Sequence, residues 1–113
     1  MSKQKLELTW IGKDQQSQLE PRILIEDREK SFGDRNSQNM LIHGDNLLAL
    51  KALEQDFTGK IKCIYIDPPY NTGNAFDHYD DCLEHSIWLN LIKPRIELLH
   101  RLLSNDGSST LVN

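Results

Sequence analysis

The feature that most constrains the fold is a short apolar segment that two prolines bring to an end. Residues 61–71 read Ile-Lys-Cys-Ile-Tyr-Ile-Asp-Pro-Pro-Tyr-Asn. The β-branched run over 61–66 is typical of a buried strand. Prolines cannot donate to a sheet ladder, and each disfavours helix in the residue before it. The sequence therefore predicts a stiff loop at the carboxyl end of a strand, where ligands bind in open α/β sheets.

Strand and helix patterns alternate from Met40 onward. The apolar periodicity predicts a strand over 40–44, a helix over about 46–56, the strand over 61–66, a helix over about 84–104 and a strand beginning at Ser109. This order predicts an α/β fold with about three parallel strands, joined by right-handed crossovers.

Three local signals are expected to end or bend these elements. Gly59 is expected to end the first helix. Pro94 should kink the second helix or split it in two. Asn105-Asp106-Gly107 is expected to form the exit turn after that helix.

Residues 1–39 differ from the rest of the chain because they are polar and lack long apolar periodicity. We expect them to form an N-terminal extension that is partly ordered and packs on a larger body. Residues 40–113 are expected to belong to a separate catalytic part.

Composition narrows the class of protein. Only 38% of the 113 residues are hydrophobic, and no apolar run approaches the roughly 20 residues that span a membrane. Cys63 and Cys82 match no disulfide or zinc spacing, and Cys63 lies in the predicted buried strand. We therefore expect reduced thiols in a cytoplasmic protein with no membrane association.

The segment Asp67-Pro68-Pro69-Tyr70 resembles the catalytic motif of amino-group DNA methyltransferases, in the form found in the adenine-N6 branch. The flanking segments 6–14, 41–50 and 71–74 are similar to the modification subunits of type III restriction-modification systems. The resemblance implies a partial doubly wound, Rossmann-like fold that uses S-adenosylmethionine. It also implies double-stranded DNA as substrate, with a restriction subunit and a second modification subunit as candidate partners.

The chemistry of the motif explains its residue types. An adenine amino group is a poor nucleophile because its lone pair is delocalised into the ring. The Asp67 carboxylate and the Pro68 carbonyl can accept its two N–H groups, on a loop that Pro69 also restricts. Tyr70 can stack on the flipped base, and Asn71 is a candidate contact to the target strand. The alternative is a Pro-Pro turn in which Asp67 binds local N–H groups.

The sequence contains few residues that could bind the cofactor. The six glycines lie at 12, 33, 44, 59, 73 and 107, so no two are separated by a single residue. The Gly-rich turn that holds S-adenosylmethionine in the family is therefore missing, and we expect it, with the target-recognition region, to lie beyond Asn113. Asp45 either approaches the cofactor or caps the following helix.

Charge supports the same expectation of an incomplete protein. The net charge is −4, and residues 41–113 hold 6 basic and 10 acidic residues, which suits a free-standing DNA-binding domain poorly. The isolated chain is expected to be inactive.

Three other functions remain open at this point. One is a cytosine-N4 methyltransferase, and another is a non-catalytic remnant or interaction module. The third is a metal-dependent hydrolase built on the acidic and histidine residues of 77–85, although we expect no metal site there.

Overall fold

The computed structural model of the protein describes residues 4–69 and 81–111, without the side chains of 81–83 and 110–111. Within these ranges the elements are α1 (Asn46–Phe57), β1 (Ile61–Ile66), α2 (Asp81–Leu102) and β2 (Leu103–Leu111). The described residues therefore form a mixed α/β structure. None of its helices is long and apolar enough to cross a lipid bilayer.

The two strands pair in parallel, as the helix between them requires. The ladder is regular from Cys63 opposite Ser108 to Ile66 opposite Leu111. It is irregular between Ile61 and Cys63, opposite residues 104–107. The expected exit turn at 105–107 and strand start at Ser109 were therefore wrong, because β2 begins at Leu103 and includes these residues. Gly107 is needed there because a Cβ at this position would lie 2.8 Å from the Ile61 carbonyl oxygen.

Helix α1 begins and ends close to its predicted limits. The Asp45 side chain caps its first turn by accepting the Leu47 N–H at 2.8 Å. The helix ends at Phe57, and Gly59 follows with a φ of 70°, a conformation that glycine adopts without strain. The Gly59 N–H then donates to the Arg101 carbonyl at 2.9 Å, which joins this turn to the last turn of α2.

Helix α2 is continuous through Pro94, so the expectation that proline would split it was wrong. Proline removes the N–H that would bond to the Asn90 carbonyl. The Arg95 guanidinium lies next to this gap and donates to the Leu91 carbonyl at 2.6 Å. Packing of α2 on α1 keeps the helix intact despite the lost bond.

The core of the described residues is small. It consists of Ala52 from α1, Ile64 from β1, and Ile92, Leu98 and Leu102 from α2. On β1, Cys63 and Tyr65 are exposed while Ile64 between them is buried, so one face of the strand is covered. The expectation that Cys63 would be buried was therefore wrong, because none of the described residues covers this face of the strand.

Residues 40–44, expected to form a strand, are irregular, and Leu41 is fully exposed. A strand needs a neighbour to satisfy its backbone groups, and in the described ranges only β1 and β2 pair. Two parallel strands are thus described where about three were expected.

The described part of the N-terminal extension, residues 4–39, contains turns but no helix or strand. Residues 22–24 and 37–38 line a cavity with α1, and two hydrogen bonds join the extension to α2. The Trp10 indole donates to the Asn90 side-chain oxygen at 2.7 Å, and the Asn90 amide donates to the Ile11 carbonyl at 2.9 Å.

Candidate active site

The loop that the sequence singled out directly follows β1. Because Ile66 pairs with Leu111 at the carboxyl ends of both parallel strands, the loop begins at the edge where α/β sheets bind ligands. Asp67 is exposed there, whereas Pro68 is buried. The loop is thus anchored by an apolar ring and presents a carboxylate to solvent. Tyr70 and Asn71 lie outside the described residues.

The loop has a second attachment, which comes from α2. The half-buried Trp88 donates its indole N–H to the Pro69 carbonyl oxygen at 2.5 Å. Proline fixes its own φ, so a bond to its carbonyl restricts most of the remaining backbone freedom at this point. The loop is therefore attached to the sheet through β1 and to α2 through Trp88.

The loop at the start of α1 holds the candidate cofactor residue, Asp45. Its Oδ1 accepts the Leu47 N–H and also lies 3.5 Å from Nη2 of Arg95. Arg95 in turn donates through Nε to the Asn46 side-chain oxygen at 2.7 Å. The capping alternative for Asp45 is confirmed by this geometry. Contact with a cofactor stays a prediction.

Trp88 and Arg95 are functional candidates that the sequence did not identify. They lie seven residues apart on α2, close to two helical turns, and therefore leave the helix on the same side about 10 Å apart. Each binds one of the two candidate loops. The spacing was visible in the sequence, but the loops that these side chains reach were not.

Perturbed carboxyl groups lie away from both loops. The hydrogen bond from Lys51 lowers the pKa of Glu54, and Arg101 of α2, 3.4 Å from Glu54, adds to the shift. The Lys13 ammonium, mainly through its hydrogen bond, lowers the pKa of Glu7 in the same way in the extension. These shifts therefore mark ion pairs within α1 and within the extension, and of these only the pair of Arg101 with Glu54 joins two elements.

The acidic and histidine residues of 77–85 lie partly outside the described ranges, which start again at Asp81. Within the ranges that the structure describes, no three His, Cys, Asp or Glu side chains are placed to hold a metal ion. The hydrolase alternative receives no support from that part of the chain.

Comparison with known proteins finds relatives among DNA methylases, the class whose catalytic motif the loop resembles. Residues 61–113 match the N6/N4 DNA methylase family. The chain is 51% identical over 71 residues to the probable type III restriction-modification enzyme HindVI Mod subunit of Haemophilus influenzae, which is 63% of this chain and 10% of that protein. It is 35% identical over 143 positions to the type III EcoPI Mod subunit of Escherichia phage P1, which covers 95% of this chain and 22% of that protein.

A third relative is named after the base that it methylates. The DNA adenine methyltransferase YhdJ of Escherichia coli is 31% identical over 78 residues, or 69% of this chain and 26% of that protein. The chain thus spans between 10% and 26% of the lengths of these three relatives. The phage match runs over 143 positions, more than the 113 residues of the chain, so that relative has additional residues inside the matched span. The chain is therefore related to the N6/N4 DNA methylases, and over nearly its whole length it is similar to type III modification subunits.

Proposed function

We propose that the chain is part of a site-specific DNA methyltransferase that modifies the N6 amino group of adenine. The observation that carries the proposal is the exposed Asp67, held by buried Pro68 at the carboxyl end of β1, inside the segment that matches the DNA methylases. Residues 40–113 would belong to the catalytic domain. Residues 1–39 would form an extension docked on it, as the contact between Trp10 and Asn90 suggests.

In this proposal the loop acts on the amino group of a flipped adenine. The Asp67 carboxylate and the Pro68 carbonyl accept its two N–H groups and favour a pyramidal, more nucleophilic nitrogen. Pro69 limits the movement of both acceptors, and Tyr70 stacks on the base. Asn71 would contact the target strand next to that base.

The methyl donor implied by the family is S-adenosylmethionine, whose sulfonium carries a methyl group open to direct displacement. The described residues do not form a complete site for it. The sequence has no Gly-rich turn, and Oδ1 of Asp45 is already occupied by the Leu47 N–H and the Arg95 guanidinium. We therefore propose that residues outside this chain complete the cofactor site.

The relatives suggest the partners of such a longer protein. Two of them are named as Mod subunits of type III restriction-modification enzymes. We propose double-stranded DNA as the substrate, and a restriction subunit and a second modification subunit as binding partners. The acidic balance of residues 41–113 indicates that most phosphate contacts come from other parts of the assembly.

Replacement of Asp67 in a longer protein tests the function. The 113 residues would replace the matching segment of the phage P1 Mod subunit, and methyl transfer to duplex DNA would be measured. Asp67→Ala should lower the rate by about 10²–10³, the usual effect of removing one preorganised hydrogen bond in an active site. Asp56→Ala, which removes an exposed carboxylate from α1, is the matched control. Near wild-type methylation by Asp67→Ala would refute the role of this loop.

The same assay decides between adenine and cytosine. Digestion of the methylated DNA to nucleosides, followed by mass spectrometry, distinguishes N6-methyladenine from N4-methylcytosine. We expect N6-methyladenine because the motif has Asp at position 67 and because one relative is named an adenine methyltransferase.

A further inference from the structure

One contact in the structure joins the candidate catalytic loop to a helix that contributes no residue of the motif. The Trp88 indole N–H donates to the carbonyl of Pro69, which lies 19 residues earlier in the chain. The acceptor is a backbone atom between Pro68 and Tyr70. Any shift of this carbonyl therefore moves the peptide plane after Pro69, which directly follows the one that contains the Pro68 carbonyl.

A hydrogen bond to a carbonyl of this loop matters because the prolines offer few other groups for attaching it. Neither Pro68 nor Pro69 has an N–H, so these two residues cannot attach the loop through donors of their own. Carbonyls are their only backbone hydrogen-bonding groups. In the described part of the chain, the Trp88 indole is the donor that the structure places on a carbonyl of this loop.

The helix that carries Trp88 is itself fixed at several points. Ile92, one turn further along α2, is buried in the core, and Arg95 binds Asp45 and Asn46 at the start of α1. Trp88 thus extends from a helix whose position is set by packing and by an ion pair. This is the arrangement that a rigid support for a functional loop requires.

We propose that Trp88 is a positioning residue that holds the Asp67-Pro68-Pro69 loop in its binding geometry through its indole N–H. The effect of this hydrogen bond on catalysis rests on the proposed function of the loop. Trp88 does not touch the base in this proposal. It acts through the Pro69 carbonyl, and so limits where Asp67 and Tyr70 can be placed.

The first test uses the 113-residue chain and needs no activity. The chain has two tryptophans, so an ¹⁵N spectrum of the chain contains two indole N–H signals. We expect the Trp88 signal to exchange with solvent at least tenfold more slowly than the indole of a short tryptophan peptide. Trp88→Phe should shift the ¹³C resonance of the Pro69 carbonyl. Trp10→Phe, which removes the indole bond to Asn90, should leave that resonance unchanged.

The second test measures catalysis in the chimaeric Mod subunit described above. Replacing Trp88 by 3-benzothienylalanine exchanges the indole N–H for sulfur with little change in ring shape, so folding should be preserved. We expect kcat per folded molecule to fall about two- to tenfold, which corresponds to the loss of one neutral hydrogen bond. The KM for S-adenosylmethionine should not change. The same replacement at Trp10 should leave kcat unchanged.

The two tests fail in different ways. Rapid exchange of the Trp88 indole, or a Pro69 resonance that ignores Trp88→Phe, would overturn the positioning role whatever the loop does. Normal kcat with 3-benzothienylalanine at position 88, in a protein that Asp67→Ala inactivates, would overturn the positioning role and leave the proposed function intact. If Asp67→Ala itself were harmless, the proposed function would fail, while the spectra would still decide whether Trp88 holds the loop.

Discussion

The two prolines of the candidate loop have different surroundings although they are neighbours in the sequence. Pro68 is buried, whereas Pro69 is exposed and offers its carbonyl to Trp88. The first proline therefore anchors the loop by packing, and the second by a hydrogen bond. Asp67 is left exposed in front of both. Packing, the hydrogen bond and the carboxylate of this loop therefore have to be tested by separate substitutions.

Tyr70 is predicted to act through its aromatic face. In the chimaeric Mod subunit, Tyr70→Ala should weaken binding of the flipped base by about 1–3 kcal/mol, the usual value of one base–aromatic stack. Tyr70→Trp should retain activity because its ring is also broad and flat. Fluorescence of 2-aminopurine at the target position reports whether the base has left the duplex. Loss of methylation in Tyr70→Trp with normal base flipping would contradict a role limited to stacking.

Asp45 is predicted to stabilise the start of α1. Asp45→Ala removes both the cap of Leu47 and the ion pair with Arg95, so the free energy of unfolding should fall by about 1 kcal/mol. Asp45→Asn keeps a capping oxygen and loses the charge, so its effect should be smaller. Urea titration followed by circular dichroism measures both. Wild-type stability of Asp45→Ala would show that the cap is dispensable and would favour the cofactor role.

At the level of helices and strands, the sequence correctly predicted the elements whose limits depend on nearby residues. Helix α1 and strand β1 have their expected limits because each carries its own periodicity and its own stop signal. Residues 40–44 begin with three apolar side chains but remain irregular, since strand formation also depends on a neighbouring strand. The contacts of Trp88 and Arg95 were missed for a related reason. They join residues distant in sequence, and periodicity does not show which distant groups meet.

The stability that Glu54 of α1 contributes should depend on pH. Lys51, with help from Arg101, lowers the pKa of Glu54 below its ordinary value of 4.5. A carboxyl whose pKa is lower in the folded state stabilises the protein above the unfolded value, and this contribution is lost as the pH falls through the folded pKa. The wild-type chain should therefore lose stability more steeply than Glu54→Gln as the pH falls below 4.5.

Thermal unfolding at several pH values measures this difference. At neutral pH, Glu54→Gln should cost less than about 1 kcal/mol because the ion pairs are partly solvated. Asp56→Asn, on the same helix but in none of the described ion pairs, controls for the loss of a carboxylate from α1. Parallel pH profiles for wild type and Glu54→Gln would rule out Glu54 as the group responsible.

On the scale of the whole molecule, much apolar surface is left uncovered. The radius of gyration is 17.5 Å, whereas a compact domain of this length would have about 13 Å. Leu6, Phe32 and Leu41 of the N-terminal half are almost fully exposed, and Tyr65 on one face of β1 is 68% exposed. These surfaces are available for contact with other protein, whether a longer chain or a second molecule.

The isolated chain is therefore predicted to be marginally stable and to self-associate. Sedimentation velocity should show an average mass that rises with concentration, and the melting temperature should rise with it. Replacing both Phe32 and Leu41 by Ser should reduce the association, because each exposes nearly its whole side chain. A cooperative melt of a monomer, unchanged over a hundredfold range of concentration, would be the opposite result.

The parallel pairing of β1 and β2 also has a consequence for biosynthesis. A hairpin could close as soon as its second strand was made, but β1 has to wait until all of α2 and then β2 have left the ribosome. At ordinary rates of translation this delay is roughly two to nine seconds. Throughout that interval the nascent chain carries the Ile-Lys-Cys-Ile-Tyr-Ile segment without its neighbour. Ribosome-associated chaperones should therefore bind this stretch during synthesis and release it when β2 emerges.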